Sequence, residues 1–214
     1  MNTSQTPSST INAAPRRPAR MHLKQDAAFA QEARKIVVRL TEANEPGRAQ
    51  LEQFIRTVFR NVYGANVTHF MPQLLSLHDQ DSRVLAVCGL RQASTGSLFL
   101  EAYLDQPVEA ALSERIGIEV ARGDIVEIGN LAVAELGMAR RLLLEVIDHL
   151  HATDTQWAVF TAIPALRNSL GKLNVQLEVL CDANIDNLAA TERSDWGSYY
   201  EHQPQVMAVR RLPC

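Results

Sequence analysis

Glu127 and Asn130 are the residues of this chain best placed by type and spacing to do chemistry. Both lie in the run IVEIGNLAVAELGMARRLLLEVIDHL, Ile125 to Leu150, which reads as a nearly continuous apolar strand, a turn and an amphipathic helix. Burying an unpaired carboxylate is costly, so a strand centre that holds one needs a reason. Residues three apart on a regular strand face opposite sides. Gly129 lies between them and is a candidate bulge that would bring both to one face. Leu136, Gly137, Met138, Ala139, Arg140 and Arg141 follow, as a turn and the start of the helix. N–H groups and positive charge at a helix N-terminus favour an anion, which points to a phosphate-bearing ligand beside the strand. The plain alternative is an ordinary turn with exposed arginines.

A second carboxylate, Glu101, sits in SLFLEAYL, where strand alternation puts Phe99, Glu101 and Tyr103 on one face. It reads as a further site carboxylate or as part of a half-solvated strand. The segment DWGSYYEHQP groups Trp196, Tyr199, Tyr200 and His202. Aromatic rings with polar tips suit a pocket for an amphiphilic substrate, and they equally suit a packed C-terminal loop. His149 and His151 are two apart on a helix and do not face one way, so no metal site is expected. No GxSxG motif occurs, and no Cys or Ser sits in a nucleophile setting.

These residues need elements to hold them. Lys35–Thr41 reads as a strand. Gly47–Tyr63 reads as a helix, with Leu51, Phe54, Ile55, Val58, Phe59 and Val62 on one stripe. The segment Pro72–His78 is ambiguous. Arg83–Gln92 and Ser97–Leu104 read as a hairpin about the turn at 93–96, and Pro107–Gly117 as a short helix. The strand at 125–134, the helix at 139–151 and the strand at 157–162 form a right-handed βαβ unit, and ligands bind beyond the carboxyl ends of such strands. A helix from Pro164, a strand at 176–180, a helical turn at 186–190 and a closing strand at 205–210 complete the domain. The expected class is α/β, a mixed, partly parallel twisted sheet flanked by helices.

Composition narrows the function classes. The 214 residues suit one domain plus extensions, with 26–214 as the domain and 1–25, rich in Ser, Thr, Pro and Ala, as a disordered tail. The basic cluster Arg16, Arg17 and Arg20 reads as a solvated tail or as a contact for a partner or lipid. A formal net charge of -3 gives no footprint for nucleic acid. No apolar run suits a transmembrane helix, and the N-terminus lacks the apolar core of a secretory signal. The three cysteines make neither a disulfide framework nor a zinc site, and a cytoplasmic setting is expected.

The segments FIRTVFRNVYGANVTHFMPQLLSL, GLRQASTGSLFLEAYLDQPVEAAL, DIVEIGNLA, WAVFTAIPALRNSLGKL and WGSYYEHQPQVMAV resemble the thermostable hemolysin family from about Arg48 to Val209. That family in turn resembles a divergent branch of the GNAT acyltransferases, in the style of acyl-homoserine-lactone synthases. The resemblance implies a GNAT-like sheet and transfer of an acyl group from a thioester to an amine. Glu127 would be the general base, directly or through water, and the Asn130 side chain or a nearby backbone N–H would polarise the thioester carbonyl. The alternative for Glu127 is a structural pair with a buried Arg such as Arg91. Leu136 to Arg141 would hold the donor's pyrophosphate, and Asn168 its pantetheine arm. Glu101, Trp196 and Tyr200 would bind the acceptor. AELGMARR departs from the glycine-rich signature, so acyl carrier protein stands beside coenzyme A as the donor's carrier. The family name implies haemolysis, which a lipid-like N-acyl product would explain. A cytolysin acting directly on membranes and an inactive GNAT-like binding module are the other two readings.

Overall fold

A computed structural model describes residues 36–135, 137–153, 155–171 and 175–211. The tail reading for residues 1–25 lies outside the described residues. Among those described, seven strands form one sheet in the order β1-β2-β3-β4-β5-β7-β6. They are β1 (Val37–Glu42), β2 (Gln73–His78), β3 (Val84–Gln92), β4 (Ile125–Val133), β5 (Trp157–Ala162), β6 (Leu177–Asp182) and β7 (Gln205–Arg210). All neighbours run antiparallel except β4 and β5. The helices are α1 (Arg48–Tyr63), α2 (Val108–Ile116), α3 (Met138–Ala152), α4 (Pro164–Gly171) and the single turn α5 (Ala190–Arg193).

The apolar stripe read from the sequence explains where α1 lies. Leu51, Ile55 and Phe59 are buried with Leu74, Val84, Val87 and Ala132 of the sheet. Gly64 ends the helix in the left-handed region, its N–H bonded to Arg60 O at 2.9 Å. On the opposite face Leu142, Val146 and Leu150 of α3 pack on β2, β3, Val126 and Ala158. Helix α4 covers β5 on that same side, through Leu170 against Phe160 and Ala162. The face that carries α1 also carries α2 and the C-terminal aromatic segment.

One expected element differs. Ser97–Leu104 is not the second strand of a hairpin; Phe99–Tyr103 is a 3₁₀ turn. A strand there would need to give its N–H groups to β3. Instead the N–H of Leu98 is taken by the Glu101 carboxylate at 2.8 Å, and those of Phe99 and Leu100 by the Glu127 carboxylate, each at 2.9 Å. With this run diverted, β3 pairs with β4. The ambiguous stretch 72–78 is a strand because Leu74, Leu75 and Leu77 are buried between the two helix layers.

His78 gives the sheet a pH-dependent stability. It is buried on β2, its Nδ1 3.3 Å from Ser82 O and its Nε2 2.9 Å from Ser76 Oγ. Burial lowers its pKa from the ordinary 6.5. The unfolded chain therefore binds a proton more readily than the folded one, and stability falls as pH drops below that value. Melting temperature should decline between neutral pH and about pH 5, and His78→Gln should remove much of that decline.

Candidate active site

Two features open the sheet at its centre. The parallel ladder between β4 and β5 runs from Ile125–Trp157 to Ile128–Phe160 and stops there, although β4 continues to Val133 and β5 to Ala162. On the other side of β4, Gly89 pairs with Gly129 and Val87 with Ala132. One residue of β3 thus faces two of β4, Asn130 and Leu131, which is a bulge. The sequence put the bulge near Gly129; its left-handed residue is Asn130, with φ 49°. Asparagine tolerates that region better than most residues.

Asn130 is also locked by its side chain. Its Oδ1 accepts the Met71 N–H at 2.9 Å, and its Nδ2 donates to His69 O at 3.2 Å. The amide is committed to backbone groups of the segment entering β2.

A cavity of about 1120 Å³ lies at the opening and draws its walls from both faces of the sheet. Leu143, Phe160 and Leu166 line it on the α3/α4 side; Glu127, Phe99 and Trp196 line it on the other. The volume slightly exceeds the usual range for drug-sized ligands, and such a lining suits a long apolar group.

Glu127 is 2% exposed. Its Oε2 accepts from Phe99 N–H and its Oε1 from Leu100 N–H, both at 2.9 Å. Burial raises its pKa above the ordinary carboxylate value, while these two bonds and the charge of Arg91 pull it back. Arg91 is its partner across the β3–β4 ladder, yet its Nη1 donates to Ser97 O at 3.0 Å. The structural partner expected of Arg91 is thus a pair of backbone N–H groups. Each oxygen keeps a second lone pair. A buried, oriented carboxylate on a cavity wall with a raised pKa has the properties of a general base.

The aromatic segment faces the same cavity. Trp196 lies with its ring centroid 5.5 Å from those of Phe99 and Tyr199 and 5.8 Å from that of Tyr200. The hydroxyls of Tyr103 and Tyr200 are hydrogen-bonded to each other. Burial pushes the Tyr200 phenol up to about 12 and those of Tyr103 and Tyr199 higher still, so all three remain protonated donors. Asn66 N–H donates to Asp195 O at 2.6 Å and Ser198 N–H to Tyr63 O at 2.8 Å, which docks the segment on the end of α1. Trp196 and Tyr200 therefore line the same cavity as Glu127.

Glu101 is not brought there. Its Oε1 accepts from Arg122 Nη1 at 2.7 Å and from Val108 N–H at 3.0 Å, and its Oε2 from Leu98 N–H and Arg122 Nη2. It does not line the large cavity. Arg122, led by its side-chain hydrogen bond, holds Glu101 well below the usual range, at about 2. The stability this contributes is present above the ordinary 4.5 and is lost as pH falls towards about 2. Glu101→Gln should lower the melting temperature at neutral pH and flatten its acid dependence over that window.

The proposed phosphate residues lie apart from the cavity. Gly137 caps α3 in the left-handed region at φ 93°, and Gly137, Arg140 and Arg141 are exposed. Arg141 is ion-paired with Glu145. The cavity first meets α3 at Leu143, so Gly137, Met138, Ala139, Arg140 and Arg141 do not line it; Leu136 lies outside the described residues. Asn168 is exposed on α4 between the lining residues Leu166 and Leu170. Among the described residues, no group of three or more His, Cys, Asp or Glu is placed to hold a metal ion, and no helix is long and apolar enough to cross a membrane.

Met71, Gly89 and Gly197 were missed by the sequence reading. Gly89 carried a signal, a lone glycine inside the apolar strand LAVCGLR, which marks a bulge or a close approach. Met71 carried none, because a single methionine beside a proline has no periodicity to read.

The thermostable hemolysin family model matches residues 41–213. No curated protein matches the sequence. Among solved structures, the AHL synthase LasI superposes with a TM-score of 0.58 over 83% of this chain and 90% of its own, at 9% sequence identity. FeeM, an N-acyl amino acid synthase from uncultured soil microbes, gives a TM-score of 0.54 over 82% of this chain and 89% of its own, at 12% identity. MesI, a CoA-dependent acyl-homoserine lactone synthase, gives 0.51 over 83% and 90%, at 12% identity. The likeness is one of fold: a mixed sheet with a single parallel pair, flanked by helices, in the GNAT-like arrangement.

Proposed function

From the premise that the chain belongs to the thermostable hemolysin family, matched over residues 41–213, we propose that it is an acyltransferase moving an acyl group from a thioester to an amine. The observation that carries this reading is the end of the β4–β5 ladder at Ile128–Phe160, which opens the sheet beside Glu127 into a cavity of about 1120 Å³. A thioester carbonyl fits the opening, where the backbone of the bulge offers hydrogen bonds. The amine attacks that carbonyl, a C–N bond forms and the C–S bond breaks. Glu127 takes the amine proton, directly or through a water, and that proton passes to the departing thiolate, which leaves as the free thiol. Trp196 and Tyr200 help bind the acceptor, with protonated phenols as donors.

The donor is acyl-coenzyme A or an acyl carrier protein thioester. Gly137 to Arg141 at the start of α3, with Leu136 before them in the sequence, are the proposed contact for its phosphates, and Asn168 on α4 the proposed contact for its arm. We place the reaction in the cytoplasm, where such thioesters are made. An N-acyl product would be an amphiphile, and haemolysis would then be the work of the product.

The test is thiol release. Purified protein with a long-chain acyl-coenzyme A or acyl carrier protein should release free thiol when amines from a cell extract are added. Lysis of pure lipid vesicles by the protein alone, with no thiol release from either donor, would overturn the proposal in favour of a direct cytolysin.

A further inference from the structure

We propose that Met71 sets the length of the acyl chain the protein accepts; the inference rests on the acyl-transfer reading above. Gly89 and Gly129 are partners across the β3–β4 ladder. A Cβ on Gly89 would lie 2.5 Å from Met71 Cβ and 2.6 Å from its Cγ, and a Cβ on Gly129 would lie 2.5 Å from Met71 Cε. The thioether thus lies lengthwise over both glycines, in a slot that any other pair of residues would fill. Its methyl covers Gly129, the first residue beyond the point where β4 parts from β5.

The Met71 backbone is fixed on both sides. Its N–H donates to Asn130 Oδ1 at 2.9 Å, and its carbonyl accepts from Arg48 Nη2 at 2.5 Å. Arg48 is 6% exposed, also donates to Pro72 O at 2.8 Å, and pairs with Glu52 at 2.9 Å. The side chain, by contrast, is held by packing alone and lines the cavity. Glu127 and Gly129 are two apart on β4 and share a face. A chain that passes the opening onto that face meets Met71 together with Val67 and Phe70, apolar side chains that line the same cavity. The acyl chain packs along them and ends against the thioether. Methionine is an adaptable filler of such gaps, and one methylene in an apolar pocket discriminates by roughly 10- to 200-fold.

The test compares the N-acyl products made by cells expressing the wild type, Met71→Val and Met71→Ala, resolved by chain length in a mass spectrometer. Met71→Val keeps carbon over Gly89 and uncovers Gly129; Met71→Ala empties the slot. The ratio of longer to shorter products should rise by about 10-fold or more in the valine variant and further in the alanine variant. Should the alanine variant fail to fold, the valine variant decides. An unchanged length distribution in a folded variant overturns the role of Met71 and leaves acyl transfer standing. No N-acyl product from the wild type overturns both.

Discussion

Glu127→Gln is expected to lower the rate of acyl transfer by about 100- to 10,000-fold, the usual contribution of a positioned general base. Glutamine keeps the shape and one acceptor oxygen but cannot take a proton. It also turns an NH₂ group towards one of the two backbone N–H groups that the carboxylate now satisfies, Phe99 or Leu100. Leaving that donor unpaired should cost about 1–3 kcal/mol of stability, so rates should be compared well below the melting temperature of the variant. The pH profile separates the two effects. A buried base with a raised pKa works only when ionised, so the wild-type rate should climb with pH along a limb lying above the ordinary glutamate value of 4.5. Residual activity in the variant should lack that limb. A variant that merely unfolds would lose amplitude and keep the profile.

Gly197→Ala should damage the fold more than any other small substitution in this region. Gly197 adopts φ 50°, and an added Cβ would overlap the carbonyl oxygen of Tyr63 and lie 2.9 Å from the carbonyl carbon of Gly64. Both are backbone atoms, which cannot swing aside as a side chain can. The substitution must therefore lift the aromatic segment off α1 or push the end of that helix. Strain and overpacking together should cost about 2–4 kcal/mol, a fall in melting temperature of roughly 5–15 °C. Gly117→Ala is the control. It has φ 74° but open space where the Cβ would go, so it should cost only about 1 kcal/mol. Because Trp196, Tyr199 and Tyr200 ride on the Gly197–Ser198 contact, Gly197→Ala should also weaken acceptor binding, read as a rise in KM for the amine.

The elements with strong periodicity were legible from the residues. Helix α1, strand β5 and strand β7 fall where the apolar spacing put them, and Glu127 stands in a buried strand at the cavity wall. The sequence was misleading at Ser97–Leu104. Its alternation is that of a strand, and nothing local shows that Glu127, almost thirty residues later, captures two of its N–H groups. The place of Glu101 outside the cavity was hidden for the same reason, since Arg122, which holds it, lies in another segment. The bulge was foreseeable from Gly129, but its placement at Asn130 follows from the bond to Met71, a contact across 59 residues. Long-range polar pairing, rather than propensity, decided each of these.

The most direct test of the central claim is mass spectrometry of lipid extracts from cells expressing this chain, beside cells expressing Glu127→Gln. Acyl transfer with Glu127 as the base predicts an N-acylated species present with the wild type and absent or strongly reduced with the variant, whose mass identifies both the acyl group and the acceptor. Identical extracts from the two, with the purified wild-type protein still lysing red cells, would contradict it.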